Sequence, residues 1–388
     1  MITHVIFFSL VNPYRKHSNG GSEDIRRRIE ATASIVDVVT VYAIDYPQEL
    51  VTPESLPANV HLNLYERGFD PRPWRWRYPL ACVRRYNRRM IMDIRRQLTD
   101  RAEQLVIFIE GMQLFGLWSD IKGVVPIDAK VILRVHNIES EYHRSVAMES
   151  RGLLKLAHQV SADQYQPLED MLLGQFSFIY CISDTELANL RNRYPEITSR
   201  LRLFLPIPRL NKLRNLALES NGPRVLAYFG DLTLPNNYTG LHWFCKNVLP
   251  QILSQNVQLR IAGKGSEQFA HYSGVVAYGF VDNIDEFISN AHVLVAPIFS
   301  GAGVKIKVLD AIGYGKALVT TPKGAEGFPS WLKERINIAA DAKEFRMILE
   351  RVFQFYEDAT KAAAEVQKEL GMKMSADRFQ QQLSGDIL

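Results

Sequence analysis

Short apolar runs recur along the chain and alternate with longer amphipathic stretches. The first six are nearly continuous, without apolar–polar alternation, and lie at 4–10, 36–44, 60–65, 104–110, 130–136 and 176–183. Five more follow a Ser-Asn-Gly-Pro break, at 224–230, 257–263, 275–281, 292–298 and 316–321. Continuous runs of this length are typical of strands that helices cover on both faces. The pattern therefore predicts an α/β protein with two Rossmann-like, doubly wound domains.

A length of 388 residues accommodates two domains of ordinary size. We expect an N-terminal domain at 1–205, a C-terminal domain at 206–365, and a last helix, 366–388, that crosses back to the N-terminal domain. Ligands of open α/β sheets bind beyond the carboxyl ends of the strands. The two domains are expected to face a central cleft, with the chemistry directly after strands.

Composition limits the binding partners and the cellular compartment to be expected for the protein. The net charge of +4 is too small to indicate nucleic-acid binding by itself. Cys82, Cys181 and Cys245 lie far apart, which argues against a disulfide framework or a zinc site and fits a reducing cytosol. The apolar N-terminal stretch lacks a basic region before it, so we interpret it as a buried strand. A cytoplasmic protein is expected, with at most peripheral contact with a membrane.

Two segments of the N-terminal half follow predicted strands and carry candidate chemistry. Gly20 and Gly21 open a predicted helix and could bring backbone N–H groups close to an anion, although an ordinary flexible turn explains them equally well. His136 stands where a strand ends. That position favours a functional role over a structural one.

Three segments of the C-terminal half are placed in the same way. Gly230 ends a strand, and Lys264 lies in a Gly-Lys-Gly loop that is a weak phosphate-binding signal. The loop 301–303 precedes a predicted helix with Lys305 in its first turn. A cation there opposes the helix dipole unless an anion such as a diphosphate docks beside it. A solvated helix face is the alternative.

The segments at 19–21, 135–140, 181–186 and 229–237 and the long block 301–327 resemble, in order, the motifs of one family. They read NGG, VHNIES, CISDTE, FGDLTLPNN and GAGVKIKVLDAIGYGKALVTTPKGAEG. The chain is similar over most of its length to GT-B glycosyltransferases of the family-4-like group, the glycosyl transferases group 1. The last block is the specific one. The resemblance implies an acceptor-binding N-terminal domain and a nucleotide-sugar-binding C-terminal domain.

The resemblance also implies roles for individual residues. His136 and Lys305 would be catalytic, with Lys305 on the diphosphate and Asp310 on the ribose. The expected donor-binding residues are Gly20, Gly21, Gly230, Lys264, Phe280, Gly301, Ala302, Gly303, Lys307, Asp310 and Glu326. Relatives retain the anomeric configuration and need no metal. Relatives also carry a longer carboxylate at the position of Asp310 and, in many cases, a Glu at that of Ala302.

The segment 67–101 has the most unusual composition in the chain, with eleven Arg and no Lys. Aromatic residues are interleaved: Trp74, Trp76, Tyr78 and Tyr86. Three interpretations are open, namely single-stranded nucleic acid, an anionic membrane surface and a solvated face whose Arg pair with acids. We favour a lipid-diphosphate-linked acceptor at the cytoplasmic leaflet and expect no nucleic acid. The residues assigned to acceptor or membrane are Arg84, Arg85, Arg88 and Arg89.

The sequence thus predicts a retaining glycosyltransferase that transfers a hexosyl unit to a glycan or lipid-linked glycan in cell-surface polysaccharide synthesis. Its only small-molecule requirement would be the nucleotide diphosphate sugar, with no further cofactor. Two alternatives remain: a non-catalytic subunit of GT-B shape that binds glycan or a partner, and a sugar-nucleotide epimerase.

Overall fold

The computed structural model describes residues 3–15, 20–99, 104–211, 213, 222–301 and 303–387. The chain divides into two compact units. Unit 1 comprises Met1–Ile207 and Ala376–Leu388, and unit 2 comprises Pro208–Ser375. The sequence-based boundaries, 205 and 365, fall two and ten residues earlier than these divisions at 207 and 375.

Unit 1 is built on a seven-stranded parallel sheet with the order β3-β2-β1-β4-β5-β6-β7. The strands are β1 Thr3–Ser9, β2 Val38–Asp45, β3 Val60–Glu66, β4 Gln104–Glu110, β5 Lys130–Val135, β6 Phe178–Cys181 and β7 Leu201–Leu203. The helices are α1 Gly20–Ala33, α2 Leu80–Val83, α3 Arg88–Thr99, α4 Phe115–Ile121, α5 Glu139–Glu149, α6 Gly152–Leu172 and α7 Asp184–Arg193. Strands β1 and β4 are buried almost throughout, as their continuous apolar runs predict.

Unit 2 repeats the plan with a six-stranded parallel sheet in the order β10-β9-β8-β11-β12-β13. The strands are β8 Arg224–Phe229, β9 Val257–Ala262, β10 Val275–Gly279, β11 Val293–Ala296, β12 Ala317–Thr320 and β13 Asn337–Ile338. The helices are α8 Pro235–Asn247, α9 Leu249–Ile252, α10 Ile284–Ser289, α11 Ile306–Gly313, α12 Ser330–Lys333, α13 Ala342–Gln354 and α14 Tyr356–Met374. The predicted fold class, two Rossmann-like domains, is confirmed.

Strand order reverses once in each sheet. In unit 1 the reversal lies between β1 and β4, and in unit 2 between β8 and β11. The connections that follow such strands leave in opposite directions and open a crevice at the carboxyl edge. Both crevices are therefore the places to look for chemistry. No helix among the described residues is long and apolar enough to span a bilayer.

The last helix, α15 Ala376–Ile387, packs within unit 1. Its apolar residues Phe379 and Leu383 are fully buried, and the Phe379 ring lies 4.7 Å from that of Phe204. At the end of the helix, Asp386 accepts hydrogen bonds from Tyr180 and Arg202. The final segment, expected as one helix over 366–388, is instead the end of α14, a break at Ser375 and α15.

Replacing Phe379 with Ala should destabilise unit 1 by about 3–5 kcal/mol, because the lost ring leaves a cavity against two other aromatic rings. Chemical denaturation followed by circular dichroism measures the change. Gln381→Ala, at an exposed position of the same helix, is the matched control and should change stability by less than about 0.5 kcal/mol. Equal midpoints for the two variants would contradict the role given to α15.

Candidate functional site

In unit 2, the loops that follow β8, β9 and β10 are held together by their backbones. Gly230 N–H donates to Ala262 O at 3.1 Å, and Gly263 N–H donates to Gly279 O at 2.7 Å. A Cβ on Gly263 would lie 2.0 Å from Gly230 O, so only glycine allows this approach. Lys264 and Phe280 extend from these loops and are exposed. Predicted donor-side positions from three loops therefore lie at one edge of the sheet.

The loop between β11 and α11 forms a cradle around one lysine. Gly301 and Gly303 have φ values of +97° and +70°, which side chains other than glycine rarely adopt. Lys305 Nζ donates to Gly301 O at 3.1 Å and to Gly303 O at 2.5 Å. Glu326 Oε2 lies 3.5 Å from the same Nζ. The cation is thus held at the mouth of the loop by oxygen atoms.

Two details differ from the sequence prediction. Lys305 is the residue that precedes α11 and not part of its first turn, because the helix begins at Ile306. Its positive charge is balanced by carbonyl oxygens and by Glu326, which is why it can stand next to a helix N-terminus. Ala302, also predicted to contact the donor, lies outside the described residues.

Lys307, two residues after Lys305, is hydrogen-bonded within unit 2. Its Nζ donates to Asn237 Oδ1 at 2.6 Å and to Tyr228 OH at 3.1 Å. Burial lowers the pKa of Lys307 to about 7, and the neighbouring charge of Lys305 acts in the same direction. With a pKa near 7, this amine changes its ionisation around neutral pH.

The two predicted carboxylates are both engaged. Asp310 Oδ1 accepts the backbone N–H of Arg209 at 2.8 Å. Glu326 bridges two lysines, with Lys323 Nζ at 2.8 Å from its Oε1. Contact of either carboxylate with a donor stays a prediction.

Asn236 and Asn237 connect the two groups of loops. A Cβ on Gly301 would lie 2.9 Å from Asn236 Nδ2, and one on Gly230 would lie 3.6 Å from Asn237 Nδ2. The residue that precedes α8 is Leu234, whereas Asn237 donates to Asp231 O and accepts from Lys307. The asparagine pair was a visible signal for this site, but its partner Lys307 is seventy residues away.

Unit 1 places a buried ionic cluster at the carboxyl edge of its sheet. Arg28 of α1 donates to both oxygens of Glu110, at 2.5 and 2.7 Å, and to Asp24 at 3.2 Å. Arg134 of β5 lies 3.5 Å from the same Asp24 oxygen. All four side chains are almost inaccessible to water. Burial alone would raise the pKa of Asp24, but Arg28 and Arg134 outweigh it and hold the pKa at about 2.

His136 faces this cluster. Its Nε2 lies 3.9 Å from Glu110 Oε2, and about 25% of its side chain is exposed. Burial lowers its pKa to about 4, against the opposing attraction of Glu110. The imidazole is therefore neutral at physiological pH and can exchange hydrogen bonds with a sugar hydroxyl.

The predicted glycine loop before α1 differs from expectation. Gly20 and Gly21 are the first two residues of the helix itself, and both are exposed. Any anion would therefore meet the N–H groups of a first helical turn and not a separate loop. Residues 16–19, which include the preceding Asn, lie outside the described residues.

Comparison with known proteins finds a family match within unit 2. Residues 223–358 match the family model of the glycosyl transferases group 1. These residues are about a third of the chain and lie within unit 2. The resemblance predicted from the sequence is thus supported over unit 2, and the predicted fold is confirmed.

Solved structures of low sequence identity share the fold of this chain. A sucrose-phosphate synthase from Thermosynechococcus elongatus superposes with a TM-score of 0.69 at 14% identity, over 98% of both chains. HepE of Anabaena, solved in complex with UDP-glucose, gives a TM-score of 0.64 at 11% identity, again over 98% of both chains. WaaG, a glycosyltransferase involved in lipopolysaccharide biosynthesis, gives 0.63 at 14% identity, over 100% of this chain and 99% of WaaG.

One curated relative is an uncharacterized 44.6 kDa protein in the cps region of Klebsiella pneumoniae. It is 26% identical over 235 residues, which are 55% of this chain and 58% of that protein. The chain thus spans about three fifths of the length of the curated relative that it matches.

The arginine-rich segment 67–101 contains arginines that are paired or buried and arginines that are exposed. Arg72 and Arg75 both bind Asp120, at 2.7 and 2.5 Å, and Arg75 is buried. Arg85 donates to Ala81 O at 2.7 Å, and burial lowers its pKa. The remaining predicted acceptor residues are exposed, and they are Arg84, Arg88 and Arg89. Pairing with acids therefore explains part of the composition, and Arg85 does not belong to the exposed set.

Arg28 and Glu110 were not identified as site residues from the sequence. Arg28 is one of three consecutive arginines, and only the fold selects which of them turns inward. Glu110 did carry a signal, since an acidic residue ended an otherwise apolar strand. Among the described residues no group of three or more His, Cys, Asp or Glu side chains is arranged to hold a metal ion.

The imidazole of His136 should stay neutral from pH 8 to pH 5, because burial opposes its protonation and its pKa of about 4 lies below that range. Nuclear magnetic resonance of the histidine ring protons measures this, with His136→Gln used to assign the signal. A midpoint near 6.5, the ordinary value for histidine, would contradict the burial argument.

Proposed function

We propose that this protein is a glycosyltransferase that retains the anomeric configuration and moves a hexosyl unit from a nucleotide diphosphate sugar to a glycan or lipid-linked glycan of the cell surface. The cradle of Gly301, Gly303 and Lys305 is the observation that carries the proposal. HepE, which shares the fold, is described in complex with UDP and with UDP-glucose, and the curated relative is a protein in a cps region. These two facts support the donor class and the cell-surface role.

The chemistry requires negative charge to be stabilised where it develops. As the bond between sugar C1 and the β-phosphate oxygen breaks, its electron pair leaves with the nucleoside diphosphate. The acceptor hydroxyl oxygen bonds to C1 on the same face and gives its proton to the departing phosphate oxygen. A fixed cation and backbone dipoles at that phosphate lower the barrier by acting on the transition state. Lys305 is the residue that we assign to this task, without a metal ion.

Other residues are assigned by position. Phe280 is exposed beside Gly279, which suits stacking on a nucleobase. Asp310 is assigned to the ribose. The neutral His136 and the first turn of α1, with Gly20 and Gly21, are assigned to the sugar and phosphate from unit 1. Lys264, Lys307 and Glu326 complete the donor side.

The acceptor is proposed to be reached from the cytoplasmic face of a membrane. Arg84, Arg88 and Arg89 are exposed on unit 1 and can attract a lipid diphosphate or an anionic surface. The protein would then act as a peripheral membrane enzyme with a lipid-linked second substrate.

Lys305→Ala should lower the turnover number by about 10²–10³, because it removes the cation that faces the leaving phosphate. The assay is transfer to an acceptor extract and donor hydrolysis across a panel of UDP-, GDP-, ADP- and dTDP-sugars. Lys323→Ala is the matched control, since Lys323 pairs with the same Glu326, and it should stay within about twofold of the parent. Unchanged turnover in a folded Lys305→Ala variant would remove Lys305 from the reaction, and a panel without any turnover would remove the proposed activity.

Donor binding should also take up a proton on Lys307. Its pKa of about 7 reflects burial beside a cation, and a diphosphate next to Lys305 would raise it. At pH 8 the amine is mostly neutral before binding, so binding of the nucleotide should absorb ~0.5–0.9 proton. Calorimetry with UDP, or with whichever diphosphate the panel selects, in two buffers of different ionisation heat measures the uptake.

Lys307→Met supplies the reference for that experiment, because methionine is of similar length and cannot ionise. Its uptake should be smaller than that of the parent by the Lys307 share. Equal uptake in parent and variant would show that another group takes the proton.

A further inference from the structure

Helices α5 and α6 form a hairpin, and several large apolar side chains are exposed at its end. We define the hairpin tip as residues 148–160. Leu153 is 86% exposed and Met148 is 82% exposed. Leu154, Leu156 and Val160 are exposed as well. Large apolar side chains are expected on protein surfaces singly, whereas five of them within thirteen residues mark an interaction site.

These residues have the spacing of an apolar helix face, which normally packs against the protein core. Leu153, Leu156, Ala157 and Val160 follow the i, i+3, i+4, i+7 pattern of an apolar stripe. Further along the same helix, the core side chains Ala162, Tyr165 and Leu168 are buried in unit 1. The second half of α6 thus anchors the helix, and the first half presents an apolar stripe to the outside.

Tryptophans border this stripe. Gln164, one turn beyond Val160, donates its Nε2 to Trp76 O at 3.1 Å, which fixes the 73–77 segment beside α6. Trp74 and Trp76 are exposed. Tryptophan is enriched where one end of the side chain meets hydrocarbon and the other meets water.

The charge of the same region is positive. Residues 144–162 contain three Arg or Lys residues and one acidic residue. The cations are Arg144, Arg151 and Lys155, and all three are exposed. Arg77, next to Trp76, is exposed too. Exposed apolar side chains bordered by Trp and by cations match the headgroup boundary of an anionic bilayer.

We propose that the hairpin tip is the surface by which this glycosyltransferase docks on an anionic lipid bilayer, with the leucine stripe inserted among the acyl chains. The proposal rests on the proposed function only in that a lipid-linked acceptor gives the docking its purpose. It moves the contact from the arginine-rich segment, where Arg72 and Arg75 are already bound to carboxylates, to α6. The exposed Arg88 and Arg89 then contribute attraction at a distance.

Vesicle flotation of the full chain tests the proposal. The parent should float with vesicles of phosphatidylcholine and phosphatidylglycerol at about 3:1, and much less with phosphatidylcholine alone. The variant Leu153→Gln/Leu156→Gln/Val160→Gln keeps helix-compatible, uncharged side chains and should lose at least about tenfold in partitioning. Arg88→Gln/Arg89→Gln, which removes two exposed charges from α3, is the matched control and should lose no more than about threefold.

Three outcomes would overturn the proposal: a parent that does not float, a tip variant that floats like the parent, and a greater loss in the arginine variant than in the tip variant. Light scattering after gel filtration adds a fourth, since a parent dimer that becomes monomeric in the tip variant would assign the stripe to a second copy of this chain. Thermal unfolding shows that each variant is folded. Donor hydrolysis should be equal in parent and tip variant, so that failure of docking is separable from failure of the transferase activity.

Discussion

Because both faces of a parallel sheet are buried, polar side chains are largely restricted to the ends of its strands. Helices cover the two sheets on both sides, so β1, β4 and β11 are lined by apolar residues almost throughout. Charged and hydrogen-bonding groups collect where the strands end. Glu110, His136, Gly230 and the 301–305 loop all lie at or just beyond such an end. The site is a consequence of that constraint, because backbone N–H groups without strand partners are available at the same edge.

Lys305 and Lys307 lie two residues apart at that edge but have different hydrogen-bond partners. Lys305 is held by backbone oxygens and a carboxylate, which suit a permanent cation. Lys307 has a phenol and an amide for partners and a cation for a neighbour, and its pKa falls to about 7. The two amines therefore differ in their electrostatic environment although they lie on the same loop and helix start. Unit 1 shows the opposite solution, in which four buried charges compensate one another.

The sequence predicted the parts of the molecule that local patterns control. Eleven of the strands were located to within a few residues, because short apolar runs bounded by turn residues are typical of buried strands. The short edge strands Leu201–Leu203 and Asn337–Ile338 were missed, since two or three residues carry no periodicity. Gly301, Gly303 and Lys305 could be grouped from the sequence because they are close together in the chain, and their role stays a prediction. The partnership of Arg28 with Glu110, and of Lys307 with Asn237, depends on tertiary packing and could not be predicted from spacing. The exposed stripe of α6 was missed for a related reason: an amphipathic pattern does not reveal whether the apolar face is covered.

The position of α15 affects how the chain comes to be folded during its synthesis. Unit 1 is discontinuous, and the whole of Pro208–Ser375 is made between its first part and its last helix. At ordinary translation rates this interval is roughly 10–30 s. During that time Phe108 and Phe204 lack their contact with Phe379, which has not yet been synthesised. Unit 2, in contrast, is formed by one continuous segment of the chain. The first unit to be synthesised is therefore the last to be completed, and its unfinished apolar surface is what a chaperone would meet on the nascent chain.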